Sequence, residues 1–158
     1  MFYPPGRAHA RRCTAREQMV QVSPTARDSL FAGLSDQQVD DLLKLGQFVE
    51  FKAGELIIRH GDYGDVMYLI LAGMVEVVRI LGAQGPQFAR YALGEGEFFG
   101  EIALLLEGQT RTANVVALEP TRCLMLNRAQ LEQMLNRHPG IALRMLAIMS
   151  KRLRALGP

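Results

Sequence analysis

Tryptophan is absent from this chain of 158 residues, and cysteine occurs only at Cys13 and Cys123. Two thiols so far apart form no disulfide framework, so a reducing cytoplasm is the expected compartment. Histidine is sparse too. His9, His60 and His138 are scattered and share no spacing of the His-Glu-x-x-His kind, so no metal site is expected. Long apolar runs are missing. The longest, residues 66–75, is broken by Gly73 and bounded by Asp65 and Glu76, too short to span a bilayer. The basic N-terminal residues lead into no apolar core, which excludes a secretory signal there. Catalytic sets are lacking as well. Ser23, Ser29, Ser35 and Ser150 fall at cap or helix positions without a Gly-x-Ser-x-Gly elbow. There is no Walker-type lysine and no Rossmann glycine fingerprint. An enzyme is not expected.

Charge of either sign is nearly balanced at +2 overall, but unevenly placed. Residues 1–27 hold Arg7, Arg11, Arg12, Arg16 and Arg27 against Glu17, a net +4 that leaves −2 for the rest. A mildly acidic body is a poor nucleic-acid binder, so no direct nucleic-acid partner is expected. Residues 1–22, with Pro4-Pro5-Gly6 and no apolar period, read as a flexible basic arm. Phosphate binding and organelle targeting are its alternative roles. Residues 23–158 are long enough for a single core, which must be built from Leu, Ile, Val and Met.

The body divides by hydrophobic period. Ser23-Pro24 can open a short helix with Leu30, Phe31 and Leu34 as its apolar face, closed by Gly33. Ser35 with Gln38 is a capping box for a helix burying Val39, Leu42 and Leu43, with Gly46 just past its end. From Gln47 the period becomes alternating. About eight short strands follow, with a glycine in nearly every turn, and Asn114 and Arg122 begin the last two. The pattern points to an antiparallel barrel or roll rather than βαβ units. Asn127 with Gln130 caps a second helix, and Pro139 opens the last. Ile141, Met145, Ile148, Met149, Leu153 and Leu156 form one broad apolar face on that helix, into which Arg152 intrudes. The width of this face suits core packing, a lid over a ligand, or a homodimer or partner seam through residues 141–156.

One stretch, read as a turn, a short helix, a second turn and the start of a strand, carries the chemistry: Phe98-Phe99-Gly100-Glu101-Ile102-Ala103-Leu104-Leu105-Leu106-Glu107-Gly108-Gln109-Thr110-Arg111-Thr112-Ala113. Gly100 allows close approach of a ligand to the backbone. A helix opening there presents unpaired N–H groups and a positive dipole end to an anion. Arg111 adds a planar fork of donors for a phosphate, and Glu101 can accept from a hydroxyl on the same molecule. A nucleotide with one phosphate fits this set. The competing explanation is a structural pair in which Glu101 and Arg111 bind only each other.

With Phe99-Gly100-Glu101-Ile102-Ala103-Leu104 and Arg111-Thr112-Ala113 inside a roll, the chain resembles the cyclic nucleotide-binding domain family. Residues 28–156 carry the likeness, including Gly54, Gly61, Gly73, Gly96 and the Tyr68-x-Ile70-x-x-Gly73 pattern. The resemblance implies a mainly β fold, a jelly-roll-like antiparallel β-roll with N-terminal helices, a short phosphate-binding helix and two C-terminal helices. It implies cAMP or cGMP as ligand and no further cofactor. Arg111 would pair with the cyclic phosphate, the backbone of Gly100, Glu101, Ile102 and Ala103 would cradle its oxygens, and Glu101 would hold the ribose 2′-hydroxyl. Thr112 would stand beside phosphate and base without deciding between the two nucleotides. The segment from Glu101 to Arg111 resembles the bacterial catabolite activator type, but no winged helix follows it in this sequence. The expectation is a stand-alone sensor signalling through its C-terminal helices. The alternatives are a same-fold scaffold with another effector or none, and the sensor part of a truncated transcription regulator.

Overall fold

A computed structural model describes residues 11–12, 30–81 and 87–155. Its elements are β1 (Arg11–Arg12), α1 (Asp36–Leu43), β2 (Gln47–Phe51), β3 (Leu56–Ile58), β4 (Val66–Ala72), β5 (Val75–Leu81), β6 (Gln87–Leu93), β7 (Phe98–Phe99), α2 (Glu101–Leu105), β8 (Ala113–Ala117), β9 (Thr121–Asn127), α3 (Arg128–Arg137) and α4 (Pro139–Ala155). Two antiparallel sheets face each other, one in the order β1-β2-β9-β4-β7 and the other β3-β8-β5-β6. The expected β-roll with flanking helices is therefore the fold.

The five-stranded sheet is covered on both sides, which explains why its inner strand β4 reads as one apolar run instead of alternating with polar residues. Met67, Leu69 and Leu71 of β4 pack toward the helices with Leu42, Leu131, Met134 and Ile141. Ile70 of the same strand, with partly buried Tyr68, packs toward the second sheet with Val75, Val77 and Val115. Two hydrophobic layers thus share one sheet, and every β4 residue from Met67 to Leu71 has apolar neighbours.

Both predicted capping boxes form. Ser35 Oγ accepts from Gln38 N at 3.2 Å while Gln38 Oε1 accepts from Ser35 N at 2.9 Å. The Asn127 and Gln130 pair repeats this at 2.8 Å in both directions. Three local expectations change. Gly46 is not a left-handed cap: it permits close packing, because a Cβ there would lie 2.7 Å from the Met125 carbonyl. Phe98–Phe99, read from sequence as a turn, pairs with Leu69 and Tyr68 as an edge strand. The broad apolar face of α4 is only partly core: Ile141 and Met145 are buried, whereas Leu153 is 72% exposed. The Ser23-Pro24 helix start and Leu156 lie outside the described residues; Leu30 to Gly33 form a turn whose Leu30 and Phe31 are buried. Arg11 and Arg12, within the expected arm, pair with Glu50 and Val49 of β2. Among the described residues no helix is long and apolar enough to cross a membrane.

Leu69 is completely buried at the contact of β4 with the helices. Leu69→Ala should destabilise the fold by about 3 kcal/mol through lost transfer energy and the cavity left behind. Chemical denaturation measures this, and a loss under about 1 kcal/mol would contradict the layered core described above.

Candidate functional site

β7 positions the central stretch. Its two residues point opposite ways, Phe98 into the helix-side core and Phe99 into the inter-sheet core. Phe99 also stacks on Tyr68, with ring centroids 5.1 Å apart. Gly100 then turns the chain into α2 with φ +83°, a conformation that favours glycine. A side chain at Gly100 would in addition come within 2.9 Å of the Arg111 guanidinium. Gly100 makes no side-chain cap, so the first N–H groups of α2 lack the partner that Ser35 supplies to α1.

Arg111 is held by its own backbone and by a floor of glycine. Its N–H donates to Asp62 O at 2.7 Å and its carbonyl accepts from Gly61 N at 2.9 Å. Gly64 lies directly under the side chain, where any Cβ would collide with the guanidinium. The side chain donates through Nη1 to Gly100 O at 2.9 Å and through Nη2 to Val66 O at 2.8 Å. Two of its five N–H donors are thus committed to carbonyls, and the other three form no hydrogen bond with a described residue. The residue is 7% exposed. Burial lowers its pKa, opposed by the nearby Tyr68, Asp65, Glu101 and Asp62.

Glu101 is equally buried at 6% exposure, yet it does not pair with Arg111. Its Oε1 lies 3.4 Å from Nη1 of Arg152, which reaches in from α4. Arg152 is anchored there by two further contacts. Its Nη2 donates to Phe98 O at 2.6 Å, and the guanidinium lies 4.5 Å from the centroid of the Phe98 ring. The purely structural Glu101–Arg111 pair considered from sequence is therefore not what forms. The acid is tied to the last helix, and the base to backbone carbonyls.

These groups surround a cavity of about 300 Å³, within the range of small-ligand sites. Gly100, Glu101, Ile102, Ala103, Arg111 and Thr112 all line it, so the structure brings together every residue singled out from sequence. Ile58, Val77, Phe99 and Val115 form apolar walls, and Leu146 and Leu153 of α4 stand at its edge while remaining exposed. Sequence reasoning missed Arg79, Tyr91 and Gly64, and noticed Arg152 only as an intruder in an apolar arc. The alternation Val75, Val77, Arg79 was the available signal for Arg79. Nothing local marks Gly64, because its role depends on a side chain 47 positions away.

The sequence profile of the cyclic nucleotide-binding domain matches residues 48–138. The chain is 39% identical over 126 residues to the cyclic AMP receptor protein of Thermus thermophilus, covering 79% of this chain and 57% of that protein. It is 34% identical over 122 residues to the cyclic nucleotide-gated channel beta-1 of Bos taurus, covering 76% of this chain and 8% of the channel. The chain thus spans little more than half of the receptor and a small part of the channel. Among solved structures, the Thermus thermophilus catabolite activator protein superposes with a TM-score of 0.69 at 35% identity, over 80% of this chain and 59% of that one. A cyclic nucleotide-binding domain from Methylobacillus flagellatus gives 0.66 at 27% identity, over 88% and 78%. The roll, the glycine-led helix and the buried arginine beside it agree with these matches: this chain belongs to the cyclic nucleotide-binding domain family.

Proposed function

We propose that the cavity binds a purine 3′,5′-cyclic monophosphate, cAMP or cGMP, and that the domain is a non-enzymatic cytoplasmic sensor whose output passes through α4. The observation that carries this reading is a buried arginine with three donors uncommitted among the described residues, beside the uncapped N–H groups of α2. A cyclic phosphate satisfies both, as charge-assisted hydrogen bonds on Arg111 and as acceptors for the backbone of Gly100 to Ala103. Glu101 accepts from the ribose 2′-hydroxyl, and Thr112 lies beside the phosphate and the base.

The coupling to α4 runs through one carboxylate. Glu101 already holds Arg152, so a hydroxyl that donates to Glu101 changes the contact fastening α4 to the cavity. Ligand binding can shift α4 only by its differential affinity for the two positions, and a shared carboxylate provides such a difference. Exposed Leu143, Leu146 and Leu153 at 71%, 61% and 72% are the apolar surface of α4 that the shift would present to a second copy or another partner.

Two measurements test the parts separately. In calorimetric titration with cAMP and cGMP, Arg111→Ala should lose about 2 kcal/mol or more, roughly 30-fold in affinity, with an unchanged circular dichroism spectrum. Gly64→Ala should also weaken binding severalfold, because its new Cβ displaces the guanidinium without touching ligand. Wild-type affinity in both variants would refute the phosphate assignment. Hydrogen exchange reads the coupling: saturating nucleotide should change protection along α4 in the wild type and much less in Arg152→Ala. An equal change in both would remove Arg152 from the signalling path.

A further inference from the structure

We propose that Asn114, a residue outside the cavity, positions Arg111 for the cyclic phosphate by pinning the loop that holds it. This rests on the nucleotide reading of the cavity and deepens it. Ala113, Val115 and Ala117 of β8 are buried in the inter-sheet core. The period of two therefore turns Asn114 to the outer face of its sheet, and the residue does not line the cavity. Asparagine is also a poor strand former, so β8 gains nothing from it as a strand. What its side chain does is fasten a distant loop: Asn114 Oδ1 accepts from His60 N at 2.7 Å, across 54 positions of sequence.

That loop is the one around Arg111. The ladder between β3 and β8 ends at the pair of Ile58 and Val115, and the chain then leaves the sheet. Three successive N–H groups are held along the departing segment. His60 donates to the Asn114 side chain, Gly61 to the Arg111 carbonyl at 2.9 Å, and Asp62 to the Arg59 carbonyl at 3.2 Å. Only the first of these acceptors is a side chain, so only there can a substitution remove the bond. The same segment supplies most of what surrounds Arg111. Asp62 O accepts from its N–H at 2.7 Å, Gly64 leaves room for its guanidinium, and Val66 O accepts from Nη2 at 2.8 Å. The far end of the segment is fixed by β4, which pairs with β9 from Val66 onward. Asn114 fixes the near end. The bond lies at an exposed position, where water can replace a lost acceptor. Its removal therefore loosens the placement of Arg111 and leaves the core untouched, as expected for support given to a binding group from outside its site.

The test is calorimetric titration of the full chain with cAMP and cGMP, alongside chemical denaturation. Asn114→Val should weaken both nucleotides by about threefold to tenfold, the worth of one hydrogen bond. Its denaturation midpoint should not fall, because valine suits a strand. Asn114→Asp keeps the acceptor and should bind within about twofold of the wild type. In an Arg111→Ala background, adding Asn114→Val should change affinity by less than about twofold, since no guanidinium is left to misplace. Asn114→Ala serves where the valine variant does not fold, with the same expected loss. Wild-type affinity in Asn114→Val, an equal loss in Asn114→Asp, or a loss undiminished without Arg111 would each overturn the positioning role while leaving nucleotide binding intact. Failure of the folded wild type to bind either nucleotide would overturn the nucleotide reading itself, and this inference with it.

Discussion

The burial of the Arg111 guanidinium is the constraint around which the site is arranged. A charge taken out of water must be compensated by hydrogen bonds or by an opposite charge. Here two carbonyls, of Gly100 and Val66, take part of that role. Those carbonyls are available because β7 ends where it does and β4 begins where it does. Space for the side chain exists because Gly64 and Gly100 lack a Cβ. The loop from Gly61 to Asp62 fixes the backbone of Arg111 from the other side. Compensation by carbonyls is partial, since dipoles do not neutralise a net charge. Asp65, Glu101 and Asp62 act on the charge from nearby, and the proposed cyclic phosphate would add an anion in direct contact with it.

The second half of the site depends on how the five-stranded sheet is used. Because both its faces are buried, β7 can put Phe98 against the helices and Phe99 against the other sheet. Phe98 then serves the helix side again, offering its carbonyl and its ring to Arg152. Glu101, three residues on, completes the grip. The glycine-led helix and the last helix are thereby fastened to the same two-residue strand. Glu101 thus contacts α4 directly, through the side chain of Arg152.

The architecture was legible from sequence because its cues are local. Capping boxes at Ser35 and Asn127, turn glycines and a switch of hydrophobic period each act within a few residues. The residues proposed to contact phosphate and ribose were legible for the same reason, being contiguous from Gly100 to Ala103 and again at Arg111 and Thr112. What stayed hidden was tertiary. Gly46 looked like a helix terminator, and only the approach of β9 shows it to be a packing glycine. Phe98–Phe99 is too short for its alternation to register as a strand until Leu69 and Tyr68 lie beside it. The partner of Glu101 could not be chosen between Arg111 and Arg152, since that choice depends on where α4 docks. The apolar arc of α4 overstated its burial, because periodicity reports a face and not what covers it.

Arg111 is buried and donates to two backbone carbonyls, and the ligand proposed for it is a cyclic phosphate whose ribose meets Glu101. The most direct measurement is the structure of the chain crystallised with cGMP or cAMP. The expected result is the cyclic phosphate within hydrogen-bond distance of Arg111 and of the α2 N–H groups, and the ribose 2′-hydroxyl on Glu101. A nucleotide seated elsewhere, or with its phosphate turned away from Arg111, would contradict it.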